Sequence, residues 1–210
     1  MSLPTYLGLP VLTWEPDWTT SGQVTGARRT SRRQDAGVGR FKYESYYPSS
    51  SRTPRRLRYV FTSRQEVIDA KEVLEQIKGR CKTFWVPTWT DDLTLVEPCD
   101  PDQAALRITG VGYIRFYLAP AGGRRHLALF PGGPVPENLL LRKVTTATAE
   151  TGGDETLTVN ANLGVRMEAG DRISFLLLCR ADSDRLTVTW EGPTVGTLEL
   201  PTIDVPRETP

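Results

Sequence analysis

From residue 84 onward, short apolar runs recur at intervals of about ten residues, each cut off by glycine or aspartate. That spacing constrains the fold more than any other feature of the chain. The runs occupy 84–89, 93–96, 112–118, 127–130, 139–144, 156–159, 173–180, 186–190 and 195–200. Between them stand turn-forming groups such as Ala121-Gly-Gly123, Pro131-Gly-Gly-Pro134, Gly152-Gly-Asp154, Ala169-Gly-Asp171 and Glu191-Gly-Pro193. Runs this short suit strands, and turns this tight suit antiparallel neighbours. The expected class is mainly β, an antiparallel sandwich or barrel, built as a single β-rich assembly domain over 1–210 with a sub-boundary near 98–101.

One helix interrupts the pattern, at about 63–78. Ser63-Arg-Gln-Glu66 has the form of a capping box, in which the two side chains satisfy backbone N–H groups left over at a helix start. Val67, Ala70, Leu74 and Ile77 follow at spacings of three, four and three, and trace one apolar stripe. Gly79 stands where a left-handed C-terminal cap belongs.

The first 18 residues read as extended pieces broken by Pro4, Pro10 and Pro16, with Trp14 and Trp18 close together. Residues 19–58 are punctuated by glycine and read as an irregular basic arm, within which 39–47 alternates as a strand would. Residues 28–64 hold eleven basic side chains against Asp35 and Glu44, whereas residues 131–210 hold twelve acidic against seven basic. Such asymmetry fits either a nucleic-acid partner or a subunit whose one surface meets the opposite surface of the next. The formal net charge of +1 favours the second, with Arg55, Arg56 and Arg58 as interface anchors and nucleic acid not expected. Trp14, Trp18, Phe84, Trp85 and Trp89 are the aromatic candidates for core or interface.

Several classes of function find no support. No run approaches the length of a membrane span, and the start of the chain has neither the basic nor the apolar part of a signal peptide, so synthesis in a cytoplasm is expected. Cys81, Cys99 and Cys179 are odd in number and form no CxxC pair, which suits reduced thiols acting as small apolar groups. His126 is the only histidine, so a three-histidine metal site is excluded by count. No nucleophile elbow, phosphate-binding loop or His-Glu-x-x-His occurs. Asp91-Asp92 and Asp182-Ser-Asp184 are the best carboxylate clusters, but neither has the ligand set of a calcium loop. The second joins two strand candidates and reads as a hairpin turn. Catalytic, cofactor and metal residues are therefore expected to be none, and the protein is not expected to be an enzyme.

Two segments carry a resemblance. The helix at 63–78 runs into Gly79-Arg80, then Phe84-Trp-Val-Pro-Thr-Trp89 and Asp91-Asp92-Leu93. This order resembles the distal tail or minor tail proteins at the tail tip of long-tailed bacteriophages and gene transfer agents. Arg180-Ala-Asp-Ser-Asp184-Arg-Leu-Thr-Val-Thr-Trp190, followed by Thr197-Leu-Glu-Leu-Pro201, is also similar to such proteins. The resemblance implies a virion structural protein made in the host cytoplasm. It also implies a β-sandwich subunit in a homo-oligomeric ring, a hexamer in preference to a trimer, joining the tail tube protein to the baseplate hub or tail fibre proteins. The alternative is a carbohydrate-binding β-sandwich module with tryptophans lining a groove.

Overall fold

The computed structural model describes residues 3–18, 32–35, 42–45, 54–119, 124–133, 135 and 138–205. Its strands are β1 (Thr5–Tyr6), β2 (Leu9–Pro10), β3 (Arg32–Asp35), β4 (Lys42–Ser45), β5 (Pro54–Phe61), β6 (Thr83–Pro87), β7 (Ala105–Ile108), β8 (His126–Phe130), β9 (Leu140–Ala149), β10 (Glu155–Val159), β11 (Arg172–Ala181), β12 (Val188–Trp190) and β13 (Gly196–Asp204). The helix α1 spans Arg64–Ile77. The protein is mainly β with antiparallel sheets, as the turn spacing predicts, and α1 is the one regular α-helix among the described residues. Two compact units divide the chain. The first comprises Met1–Glu15, Thr83–Cys179 and Pro206–Pro210, and the second Pro16–Lys82 and Arg180–Val205. Residues 98–101 fall inside the first.

The first unit is a closed barrel. β11, β8, β9, β10 and β7 pair in that order. The extended residues 93–96 then bridge the open edges: Leu93 pairs with Ile173 of β11, and Leu95 with Ile108 of β7. Closure leaves no free edge at that seam. The side chains of Leu93, Leu106, Ile108, Leu127, Leu129, Leu157 and Ile173 are almost fully buried. The run at 93–96 is therefore not a ladder-forming strand but the strip that shuts the barrel.

β6 also pairs with β11, and the corner between β6 and the closing strip explains the aromatic motif. Phe84, Trp85 and Val86 are buried on both faces of the strand. Trp89 takes a left-handed backbone, φ 59°, which breaks the extended run. Asp92 fills the break: it accepts the Thr88 hydroxyl and the Phe175 N–H, the latter at 2.7 Å.

The expected strand at 112–118 is instead one wide helical turn, Ile114–Leu118. The reason lies in a buried carboxylate. Glu155, 5% exposed, accepts the N–H groups of Val111, Tyr113 and Ile114 at 3.2, 2.7 and 3.1 Å. Amides gathered on one carboxylate cannot serve a ladder. Gly112, at φ 69°, starts the turn.

The second unit places α1 over the sheet β5–β13–β12. β5 and β13 are in register from Pro54↔Ile203 to Phe61↔Gly196, and β12 pairs with β13 at Val188↔Leu198. The strand β5 lies where the basic arm at 19–58 was expected to run on irregularly. Its alternation is plain once paired: Leu57, Tyr59 and Phe61 are buried while Arg56 and Val60 face out. Of the rest of the arm, only the β3–β4 pair is described, with Arg32 opposite Ser45. A similar omission is β7, too short and too arginine-interrupted to read as a run.

The helix begins as expected. Ser63 Oγ accepts the Glu66 N–H at 3.2 Å, but the Glu66 carboxylate reaches back to the N–H of Thr62, one residue before the cap. Its buried stripe is Val67, Ala70, Val73 and Ile77, with Val73 in the place given to Leu74. The left-handed cap falls on Lys78, φ 52°, with Gly79 left-handed as well.

Candidate functional site

Gly79 and Arg80, just past the helix, dock on the 182–184 loop. A Cβ on Gly79 would stand 2.9 Å from the Cα of Asp184, so only glycine allows the approach. The Arg80 N–H donates to Asp184 Oδ1 at 3.0 Å, and its guanidinium donates to the Asp182 carbonyl, 3.0 Å from Nε. The Asp182 carboxylate lies 4.0 Å from the same guanidinium. This loop is not the expected hairpin turn, because β12 pairs with β13 and not with the strand before it.

On β5, the three candidate arginines have different fates. Arg55 is half-buried and its Nε lies 3.3 Å from Asp204. Arg58 lies 3.2 Å from Glu191 on the outer face. Arg56 is exposed, opposite Pro201 in the register. The outer face thus presents Arg56, Arg58 and Val60 beside Glu191 and Glu199, both signs of charge around a valine that is 42% exposed. Such a face can bind an unlike surface.

The aromatic candidates separate. Phe84, Trp85 and Trp89 are buried in the first unit, and the Trp89 ring lies 5.1 Å from Phe130. Trp14 of the same unit is half-buried, and Trp18, of the second, is exposed. The buried aromatic candidates thus belong to the first unit, whereas Trp18 shares the second with the three arginines, where the Asp17 N–H donates to the Arg58 carbonyl at 2.7 Å.

His126 lies in an aromatic cluster. Tyr6 Oη is 3.1 Å from His126 Nδ1, and the Trp85 ring is centred 4.7 Å from the imidazole. Burial, with help from Lys143 and Arg125, lowers the imidazole pKa to about 4, and burial raises that of Tyr6 to about 12. At neutral pH both groups are uncharged. Among the described residues, the partners of the two groups are each other, the Trp85 ring and cations. Asp91 pairs with Arg172 at 3.4 Å and Asp92 is held at the barrel corner. Among the described residues no three His, Cys, Asp or Glu side chains stand together as a metal site, and no helix is long and apolar enough to cross a membrane.

Sequence reasoning missed Glu155, and singled out Asp92 only as half of a carboxylate pair, not as the acceptor that fills the barrel corner. Glu155 carried a signal: in Glu155-Thr-Leu-Thr-Val159 it shares the inward parity of Leu157 and Val159, and an acid at an inward position needs donors.

No family model matches the chain, and no curated protein matches it. Function rests on the geometry above and on the two resembling segments.

Proposed function

We propose that the chain is a structural subunit of a phage tail tip, assembling with copies of itself into a ring that joins the tail tube to the baseplate hub or fibres. One observation carries the reading. The two segments that resemble tail-tip proteins lie 104 residues apart at Arg80 and Asp184, yet they meet in one device, the Gly79-Arg80 turn seated on the 182–184 loop. Paired this way they act as a single structural element, which is what a shared architecture requires and a chance likeness of two strings does not. The mixed-charge outer face of β5 and β13 suits a heterologous contact, in which unlike surfaces of neighbouring copies meet and ring closure follows from the rotation between them. The barrel corner at 84–92 is a packing device and adds no chemistry. In this reading the protein is not an enzyme.

The test is the mass of the purified protein by light scattering across concentration and salt. A discrete hexamer, or a trimer, weakening as salt rises, is the expected result. A protein that stays monomeric at every concentration, and whose tryptophan emission is quenched by added glycans, would overturn the reading in favour of a sugar-binding module using Trp18 and Trp190, the exposed tryptophans among the described residues.

A further inference from the structure

The first hairpin, residues 3–10, packs β2 against β6, buries Leu3 and Tyr6, and sets the Tyr6 hydroxyl beside the His126 imidazole. β1 and β2 pair through Thr5↔Pro10 and Tyr6↔Leu9, so the hairpin can move as a piece. It is tied to the barrel unit at Tyr6: the hydroxyl meets His126 Nδ1 at 3.1 Å, and the Tyr6 carbonyl accepts the Trp85 indole N–H at 3.0 Å. The Tyr6 ring packs edge-on against both partners, at 5.6 Å from His126 and 5.5 Å from Trp85. Beyond the hairpin, Leu12 N–H donates to the Trp85 carbonyl at 2.8 Å and is anchored separately. Within the hairpin, Leu7 is left-handed at φ 51° and half exposed, so the turn adds strain and little burial.

We propose that residues 3–10 form an acid-released latch, closed by Tyr6 and Trp85 on the neutral His126 ring and opened when that ring takes up a proton. This goes beyond the assembly reading and does not rest on it. The groups around the ring make it so. Tyr6 faces the imidazole from β1, Trp85 from β6, and Lys143 from β9, where it is the register partner of His126; Arg125 precedes it in the chain. Arg142 acts on the Tyr6 phenol. The charged groups acting on the imidazole are thus cations. Protonation leaves both ring nitrogens as donors, so the Tyr6 hydroxyl can then only accept from Nδ1, and a further positive charge enters a half-buried site beside two others. Moving Tyr6 away returns the ring to water and relieves both costs.

The direction of the pH effect follows from linkage. With the latch closed the imidazole titrates at about 4, and once released it titrates near its ordinary 6.5. The closed form is therefore fully favoured above the ordinary value and loses that advantage as pH falls toward the closed-state value. The opening equilibrium rises roughly a hundredfold between pH 7 and pH 4.

His126 is the only histidine, so its ring protons can be followed by NMR without ambiguity. Exchange protection of the Trp85 indole N–H, which donates to the Tyr6 carbonyl, reports the latch. The Leu12 amide is the control. After correction for intrinsic exchange, the indole should lose protection as pH falls from 7 to 4 while Leu12 keeps its own. His126→Asn, which offers an acceptor near the Nδ1 position but does not titrate, should abolish the pH dependence. Should that variant fail to fold, Tyr6→Ala serves instead: it removes the ring that covers the imidazole and raises the His126 midpoint toward its ordinary value. An imidazole that titrates normally in the intact protein would sink the proposal. So would equal loss at Leu12, a pH dependence that survives in His126→Asn, or a midpoint unmoved by Tyr6→Ala.

Discussion

Gly110 tolerates no side chain, because a Cβ built there would stand 1.8 Å from the carbonyl oxygen of Gly153. Backbone would have to move, so Gly110→Ala should cost about 2–4 kcal/mol in urea unfolding. Gly170, with nothing near its Cβ position, is the control; its alanine variant should change stability by less than about 0.5 kcal/mol. Glu155 makes the same point for a polar group. Three N–H groups depend on its carboxylate, and Glu155→Ala leaves them without an acceptor, at a cost of about 2–4 kcal/mol. Glu155→Gln keeps the shape and one acceptor oxygen and should fall between the two, measured by the same unfolding curves. Glu155 was legible as an anomaly of parity. The Gly110 contact was not, since it joins two turns, at Gly110 and Gly153, that only the β7–β10 pairing brings together.

At the scale of elements, α1 was readable because its signals are local. A cap, a stripe and a stop lie within one window of sequence, and each acts within a few residues of itself. The two ends predict opposite effects. Ser63→Ala removes the acceptor of the Glu66 N–H and should destabilise the protein by about 1 kcal/mol. Lys78→Gly relieves a left-handed backbone and should stabilise it by about 0.5–1 kcal/mol. Thermal unfolding of the pair, followed at the helix signal near 222 nm, checks both signs. β5 was hidden for a different reason. Arg55, Arg56 and Arg58 dominate its composition, and only pairing with β13 makes its alternation useful. The turn at 114–118 was misread because its aromatic, β-branched sequence suits a strand, and the carboxylate that redirects it comes from β10.

For the whole molecule, the arginine run separates into internal and external parts. Arg55 and Arg58 pair with Asp204 and Glu191 of their own unit. Replacing either by alanine should lower stability, by about 1–3 kcal/mol for the better buried Arg55 and by less than about 1 kcal/mol for Arg58. Arg56, exposed between them, is the cleaner probe of self-association. Arg56→Glu should leave the unfolding curve in place and weaken assembly, with the salt dependence of the oligomer reduced or reversed. An oligomer of unchanged mass and salt response in that variant would remove this face from the contact.

What the sequence alone determined is the part set by short-range chemistry: strands of a certain length between glycine and aspartate turns, one capped helix, and a reservoir of aromatic side chains for the core. Tertiary structure decided the closure of the barrel by residues 93–96, the conversion of 112–118 into a turn, the seating of Gly79-Arg80 on a loop 104 residues away, and the meeting of Tyr6 with His126. Each of these depends on a polar or steric partner from a distant element. Local pattern reports which face of a strand is apolar, but not which distant carboxylate, carbonyl or ring will stand opposite it.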